Sequence, residues 1–177
     1  MEGKNSEPDY FRGLKQLPHI RESTAVSVAL HPEHGVPLTL VEMAIERSAD
    51  PEIDSCWCVF DVEWPVNHPN LQQAVSLAQR HGIGTAISNP CFELWLLLHY
   101  QDCGKFLHTR HAETLSMRAD GRSGKSVDPD LYLQNRAVAA QRAEALDRRH
   151  AQNGCALPHD NPSSGMYRLL RALGDPV

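Results

Sequence analysis

Several features that would place the chain in a specialised class of protein are scarce or absent. Aromatic residues make up 6% of the 177 residues, and no uninterrupted apolar run exceeds five residues. A membrane-spanning helix needs about 20 consecutive apolar residues, and the first residues also lack the apolar stretch of a signal peptide. We therefore expect a cytoplasmic protein with no membrane segment.

Cysteines are few and poorly spaced for structural use. The chain has five, an odd number, and none forms a C-x-x-C pair. This pattern argues against a disulfide framework and against a structural zinc site. Cys56 and Cys58 lie two residues apart in a predicted strand, so we expect them to pack on one face.

A strong positive charge is also missing, since the formal net charge is −5. Residues 1–103 carry 6 Lys and Arg against 14 Asp and Glu, whereas residues 104–177 carry 11 against 8. A protein that holds nucleic acid alone usually presents a strongly basic face. Here only the C-terminal part can supply a modest one. The acids of the first part suit metal binding, but they also suit an ordinary soluble surface.

The hydrophobic pattern alternates between helix and strand spacing over residues 1–103. This alternation predicts an α/β fold with an open, mostly parallel sheet flanked by helices. Residues 104–177 should form a loop and C-terminal helices packed on that core, giving one domain overall. We predict a long loop at 102–129 with at most one helical turn, near 112–117. The predicted helices are 6–17, 38–48, 71–81, 89–100, 131–151 and 166–173, and the predicted strands are 24–30, 56–60 and 83–87.

Two carboxylates stand where an apolar strand ends. Asp61 and Glu63 follow Val59 and Phe60, and residues two apart in an extended strand point the same way. Ligands of open α/β sheets bind beyond the carboxyl ends of the strands. The pair therefore suits Mg²⁺ or Mn²⁺, which prefer hard oxygen ligands. Two solvated acids at a strand end remain the alternative.

Another acid begins the chain. Glu2 precedes Gly3 and a predicted helix, and a glycine there lets the backbone approach a phosphate closely. We expect Glu2 to act as a general acid or base, or as a further metal ligand, with Gly3 and Lys4 touching substrate. The alternative is an exposed residue in a frayed terminus.

A third acidic position, Glu93, lies inside the most hydrophobic stretch. Phe92, Leu94 and Trp95 surround it, so its helix should be buried. A buried carboxylate must be paired, metal-bound or protonated. We expect Glu93 to belong to the catalytic site and Ser88 and Asn89 to contact substrate. A structural glutamate paired with an arginine is the alternative.

A glycine-rich segment, Gly121–Ser126, imitates a phosphate-binding loop. A P-loop needs another glycine at Ala119, a strand before the loop and a helix directly after it, and Pro129 opposes such a helix. We therefore reject a nucleotide-binding P-loop, although Arg122 and Lys125 could touch a polyanion.

Three blocks together resemble the RloB-like family, which occurs at bacterial restriction and abortive-infection loci. The segment Asn161–Ser164 before the last helix also fits the family, so the resemblance spans nearly the whole chain. The third block is the most distinctive. The blocks are Glu2-Gly-Lys-Asn-Ser-Glu-Pro-Asp-Tyr-Phe11, Val59-Phe-Asp-Val-Glu63 and Ser88-Asn-Pro-Cys-Phe-Glu-Leu-Trp-Leu-Leu-Leu-His-Tyr100.

The resemblance implies a Toprim-like, Rossmann-like fold and Mg²⁺-dependent cleavage of phosphodiesters. By the Toprim motif, Glu2 would be the general acid or base, and Asp61 and Glu63 would bind the metal. The chain has Glu63 where the motif has Asp, and only Met1 precedes Glu2 where the motif has a strand. A missing strand would expose a sheet edge, which leads us to consider a homodimer.

Three functions remain open at this stage. The first is a metal-dependent nuclease of a phage-defence system that acts on DNA or RNA, and the resemblance implies an AAA- or ABC-type ATPase as its partner. The second is a non-catalytic, degenerate Toprim module that binds a partner ATPase or a phosphorylated ligand. The third is a metal-dependent enzyme acting on small phosphorylated molecules.

Overall fold

The computed structural model describes residues 6–23 and 36–177, which form a mixed α/β fold. No helix within these ranges is long and apolar enough to cross a membrane. The described helices are α1 (Ser6–Leu14), α2 (Pro18–Ser23), α3 (Pro37–Ser48), α4 (Leu71–Arg80), α5 (Phe92–Leu98), α6 (Thr109–Asp120), α7 (Asp130–Leu133), α8 (Arg136–Gln152) and α9 (Met166–Ala172); the strands are β1 (Trp57–Asp61), β2 (Gly84–Asn89) and β3 (Ser163–Ser164).

The described strands make a small open sheet in the order β1-β2-β3. Strands β1 and β2 are parallel, in a register that pairs Trp57 with Gly84 and Asp61 with Ser88. The short strand β3, which the sequence pattern did not predict, runs antiparallel to the end of β2. The parallel pair confirms the expected crossover, while the predicted strand 24–30 lies outside the described residues.

Helices cover both faces of this sheet because β1 is apolar on both sides. Cys58 and Phe60 pack into a core with α3 and α4, whereas Trp57 and Val59 pack against a larger core on the opposite face. The larger core combines residues of α1, α5, α6, α8 and α9. Residues 104–177 therefore contribute to the same hydrophobic core as the first part of the chain.

Helix α5 lies at the centre of the larger core, and every one of its residues is buried. The ring of Tyr10 on α1 packs edge-on against Phe92, Trp95 and His99, with centroid distances of 5.8, 6.2 and 5.7 Å. These contacts hold the start of α1 against the start of α5. Both helix starts thereby face the carboxyl ends of β1 and β2.

The predicted loop at 102–129 is wrong, because residues 109–120 form the three-turn helix α6. Its buried face is narrow and consists mainly of Ala112 and Ser116, so the sequence shows little apolar periodicity. The helix packs against α5, and this tertiary contact outweighs its polar composition. The predicted helix 131–151 is likewise divided, into α7 and α8.

Candidate metal and phosphodiester site

The carboxyl ends of β1 and β2 meet at one edge of the sheet. Asp61, the last residue of β1, is paired in register with Ser88 and receives a hydrogen bond from the Phe92 N–H at the start of α5. Its side chain is densely surrounded by protein but keeps some exposed surface. Asp61 is therefore largely enclosed by protein, although the residue keeps partial contact with solvent.

Glu63 reaches the same region through an unusual backbone conformation. Its φ of 67° lies in the left-handed region, which costs a residue other than glycine on the order of 1 kcal/mol or more. The expected strand alternation is therefore not what orients it. Its N–H donates to the Pro90 carbonyl at 2.9 Å, and its Oε2 accepts from Thr109 Oγ1 at 2.9 Å.

Glu7 enters this region from the first turn of α1. Its Oε2 is buried and has no hydrogen-bond partner among the described residues. Burial and the nearby Glu93 and Glu63 carboxylates raise the pKa of Glu7 to about 7. A hydrogen bond from its own N–H and the positive charge of Lys125 act in the opposite direction and lower this pKa. At neutral pH this carboxyl group is therefore close to half-protonated.

Glu93 completes the group from α5 and is 6% exposed. Its Oε1 lies 3.1 Å from Ser6 Oγ, which also lies 2.8 Å from the carbonyl oxygen of Lys125. Ser6 therefore joins the start of α1 to both α5 and the loop after α6. We call Glu7, Asp61, Glu63 and Glu93 the acid cluster.

Members of the acid cluster repel one another. Burial first, and then the charges of Glu7, Glu93 and Glu63, raise the pKa of Asp61 well above its ordinary value. Burial and the nearby Glu93 and Asp61 also raise the pKa of the Cys91 thiol. Within residues 6–23 and 36–177, no arginine or lysine lies within 4 Å of Glu7, Asp61 or Glu93 carboxylates to form an ion pair.

No three histidine, cysteine, aspartate or glutamate side chains in the described part of the chain converge closely enough to hold a metal ion as they stand. Mg²⁺ does not require such a set, because it keeps several waters and takes one or two carboxylates with substrate phosphate. The orphaned Glu7 oxygen and the crowded charges are therefore compatible with a divalent cation in the acid cluster.

A comparison with protein families matches residues 1–173 to the family described as RloB-like protein. The chain is a member of the RloB-like family. The match includes all four members of the acid cluster and extends through α9. No curated protein and no solved structure matches the chain significantly.

Two predicted substrate-binding residues of this RloB-like chain are engaged in holding the fold. Ser88 Oγ lies 3.1 Å from Ser164 Oγ across the β2–β3 pair, and Asn89 Nδ2 donates to the Pro158 carbonyl and to Asp160. Both side chains are buried. Substrate contact by these two residues stays a prediction, as does that by Gly3 and Lys4. Glu2, predicted as a general acid or base or metal ligand, lies outside the described residues together with Gly3 and Lys4.

The glycine-rich segment of this RloB-like chain is not a P-loop. Helix α6, not a strand, precedes it, and Gly121 ends that helix in the left-handed conformation, with φ of 75°. Lys125 binds Glu113 at 3.0 Å, and its positive charge lowers the pKa of Glu7. The segment therefore borders the acid cluster without forming a nucleotide cradle.

Sequence reasoning overlooked Glu7 and Thr109 in this RloB-like chain. The position of Glu7 was nevertheless visible, because Glu7, Tyr10, Phe11 and Leu14 recur at the spacing of one buried helix face. Thr109 gave no such signal, since its contact with Glu63 crosses 46 residues of sequence.

Proposed function

We propose that this chain is a Mg²⁺- or Mn²⁺-dependent phosphodiesterase of Toprim type, acting as a nuclease in a phage-defence system. The observation that carries the proposal is the acid cluster, in which buried carboxylates raise one another's pKa and Glu7 Oε2 has no partner within the described residues. Carboxylates that raise one another's pKa are expected at a site that binds a cation or holds a proton. The defence role follows from the family resemblance alone.

Asp61 and Glu63 are the residues we assign to the cation, with Glu2 as a further ligand. A bound divalent cation supplies neutralisation of developing charge on a phosphoryl group and a water of lowered pKa. The Phe92 N–H and Thr109 Oγ1 orient these carboxylates by hydrogen bonds. Such outer contacts fix ligand orientation and are commonly important for metal affinity.

Glu7 and Glu93 are the residues we assign to proton handling and support. Glu7 Oε2 lacks a partner in the described part of the chain and can hold a proton that reaches the site. Glu93 Oε1 is instead oriented by Ser6 at 3.1 Å. Glu93 therefore acts as a positioning residue that keeps α1 and Glu7 against the start of α5.

Titration calorimetry with Mg²⁺ and Mn²⁺ tests the assignment. We expect the wild-type chain to bind the cation and the Asp61→Ala, Glu63→Ala double variant to lose binding, because both assigned ligands are removed. Glu144→Gln is the matched control, since it removes an acid that pairs with Arg171 outside the acid cluster. Circular dichroism should show that all three proteins remain folded.

Activity assays then decide the reaction class. Labelled DNA and RNA, together with nucleoside triphosphates, are incubated with the cation and each protein. Cleavage of a polynucleotide that depends on Asp61 supports the nuclease, whereas turnover of nucleotides alone would indicate an enzyme of small phosphorylated molecules.

A second candidate, a non-catalytic module for a partner ATPase or a phosphorylated ligand, is favoured by one observation. Glu63 stands where the Toprim motif has aspartate, and its left-handed backbone, with φ of 67°, departs from the extended strand that the motif implies. Absence of cation binding to wild type would overturn the metal-dependent function. Co-purification with an AAA- or ABC-type ATPase, with no cleavage by either protein, would then select this second candidate.

A further inference from the structure

We propose that an aromatic and basic shelf beside the acid cluster binds single-stranded nucleic acid by stacking an unpaired base. The shelf consists of Trp64 and residues 105–111, and it borders a recess of about 480 Å³. This volume suits one nucleotide, since small-molecule sites commonly span about 300–1,000 Å³. The proposal rests on the proposed function in its choice of a phosphodiester chain as the ligand.

Aromatic rings gather at this shelf, although aromatic residues are rare in the chain. The Trp64 and Phe106 ring centroids lie 5.2 Å apart in an edge-to-face arrangement, and the Phe106 and His108 rings lie 5.7 Å apart. Phe106 is 51% exposed, so its ring is open to solvent while its edge contacts hold it beside Trp64 and His108. An exposed ring can accept the face of a nucleobase.

The shelf backbone is held firmly while the flanking side chains point outward. Leu107 is buried between Phe106 and His108, its N–H donates to Asn161 Oδ1 at 2.9 Å, and its carbonyl accepts from Asn161 Nδ2 at 2.8 Å. This double hydrogen bond fixes the segment in position. The exposed rings are therefore preorganised, which reduces the entropy lost on binding.

Charge on the shelf is opposite to that of the acid cluster. Residues 105–111 contain Lys105, Arg110 and the histidines His108 and His111, and they contain no acid. His108, Arg110 and His111 line the recess together with Glu63 and with Glu113, whose charge is paired with Lys125 at 3.0 Å. A phosphate backbone repelled by the acid cluster is attracted here, as in proteins that combine cationic grooves with aromatic platforms.

The shelf is joined directly to the acid cluster. Glu63 also lines the recess, and Thr109 Oγ1 donates to Glu63 Oε2 while accepting from the Trp64 N–H at 3.0 Å. A base stacked on the shelf therefore brings the adjoining phosphodiester towards the assigned cation ligands. A paired base cannot stack in this way, because its neighbours in the duplex cover its faces, and this favours a single strand.

Fluorescence anisotropy in EDTA tests the shelf without any cleavage. The probes are labelled oligonucleotides of about 12 residues, as single-stranded DNA, single-stranded RNA and duplex DNA. We expect tighter binding to one or both single strands than to the duplex. Phe106→Ala should weaken that binding by at least about five-fold, because a stacked base is lost.

Leu131→Ala is the matched control, because Leu131 is nearly as exposed as Phe106, at 49%, but lies on α7 and not on the shelf. It should bind like wild type. Equal affinity for duplex and single strands, or unchanged affinity in Phe106→Ala, would overturn the shelf, even if metal-dependent cleavage were found. Because binding is measured in EDTA, a failed metal assay leaves this result interpretable.

Discussion

Two described regions of this chain surround their carboxylates in contrasting ways. Asp120, at the end of α6, forms an ion pair with Arg122 at 2.5 Å and accepts a hydrogen bond from Tyr132. Although burial acts to raise it, these hydrogen bonds hold the pKa of Asp120 below its ordinary value. In the acid cluster, burial and neighbouring carboxylates instead raise the pKa of Asp61 and Glu7.

The contrast separates acids that support the fold from acids that weaken it. An aspartate with a guanidinium and a phenol has its charge compensated, so the Asp120 network is sufficient for a structural role. The acid cluster lacks that compensation from the described arginines, and its geometry is retained against repulsion. A group of charges that lowers the stability of the fold at one place is characteristic of a functional site.

The largest expected effect comes from breaking the compensated region. Arg122→Ala would leave Asp120 buried beside Tyr132 without its cation, which costs about 3–5 kcal/mol when a buried ion pair loses one partner. Urea denaturation should therefore show a lower free energy of unfolding. Arg118→Ala is the control, because Arg118 is an exposed arginine of α6, the helix that ends at Asp120. It should change the free energy of unfolding by less than about 0.5 kcal/mol. Equal losses in both variants would contradict the assigned role of Asp120.

An intermediate effect of opposite sign is expected in the acid cluster. Glu7→Gln removes a charge that the native fold disfavours, so it should stabilise the metal-free chain by about 1–3 kcal/mol at a pH near 8. Urea denaturation in EDTA measures the change. If the variant is less stable than wild type there, the repulsion we infer does not govern the site.

The pH dependence of this gain follows from the pKa of Glu7, which is about 7 in the native state against 4.5 ordinarily. The native state holds the proton more tightly, so the penalty is fully present above pH 7 and disappears as the pH falls to 4.5. The advantage of Glu7→Gln should shrink across that window. Mg²⁺ should stabilise wild type more than the variant, because the cation relieves the same repulsion.

Local patterns predicted much of the fold. The apolar runs at 56–60 and 83–87 indicated two parallel strands, and the stripe of Tyr10, Phe11 and Leu14 indicated α1. Helix α6 could not be predicted in this way, because its buried face is limited to Ala112 and Ser116 and depends on packing against α5. Strand β3 was likewise invisible, since two serines acquire strand character only by pairing with Ser88 and Asn89.

The candidate site was predictable only where chemistry and local sequence coincide. Asp61 and Glu63 follow an apolar strand, so their place at its end was foreseeable, and Glu93 lies among apolar residues, so its burial was foreseeable. Thr109 and Lys125 reach the acid cluster across long loops, and no local pattern reports such contacts. The sequence thus indicated Asp61, Glu63 and Glu93, whereas the tertiary fold added Glu7 and decided which neutral and positive groups surround these acids.

The smallest expected effect concerns the ion pair of Lys125, whose charge acts on Glu7 of the acid cluster. Lys125 pairs with Glu113, and both side chains are partly exposed, at 32% and 18%. Lys125→Met should therefore change the free energy of unfolding by less than about 1 kcal/mol. It should nevertheless raise the pKa of Glu7 above 7, because the positive charge of Lys125 now lowers it.

Carbon-detected NMR of the carboxyl groups measures that pKa. Glu113→Gln separates the two explanations, since it removes the ion pair and keeps the cation: a similar rise in both variants would show that loop position, not the charge of Lys125, sets the proton affinity of Glu7.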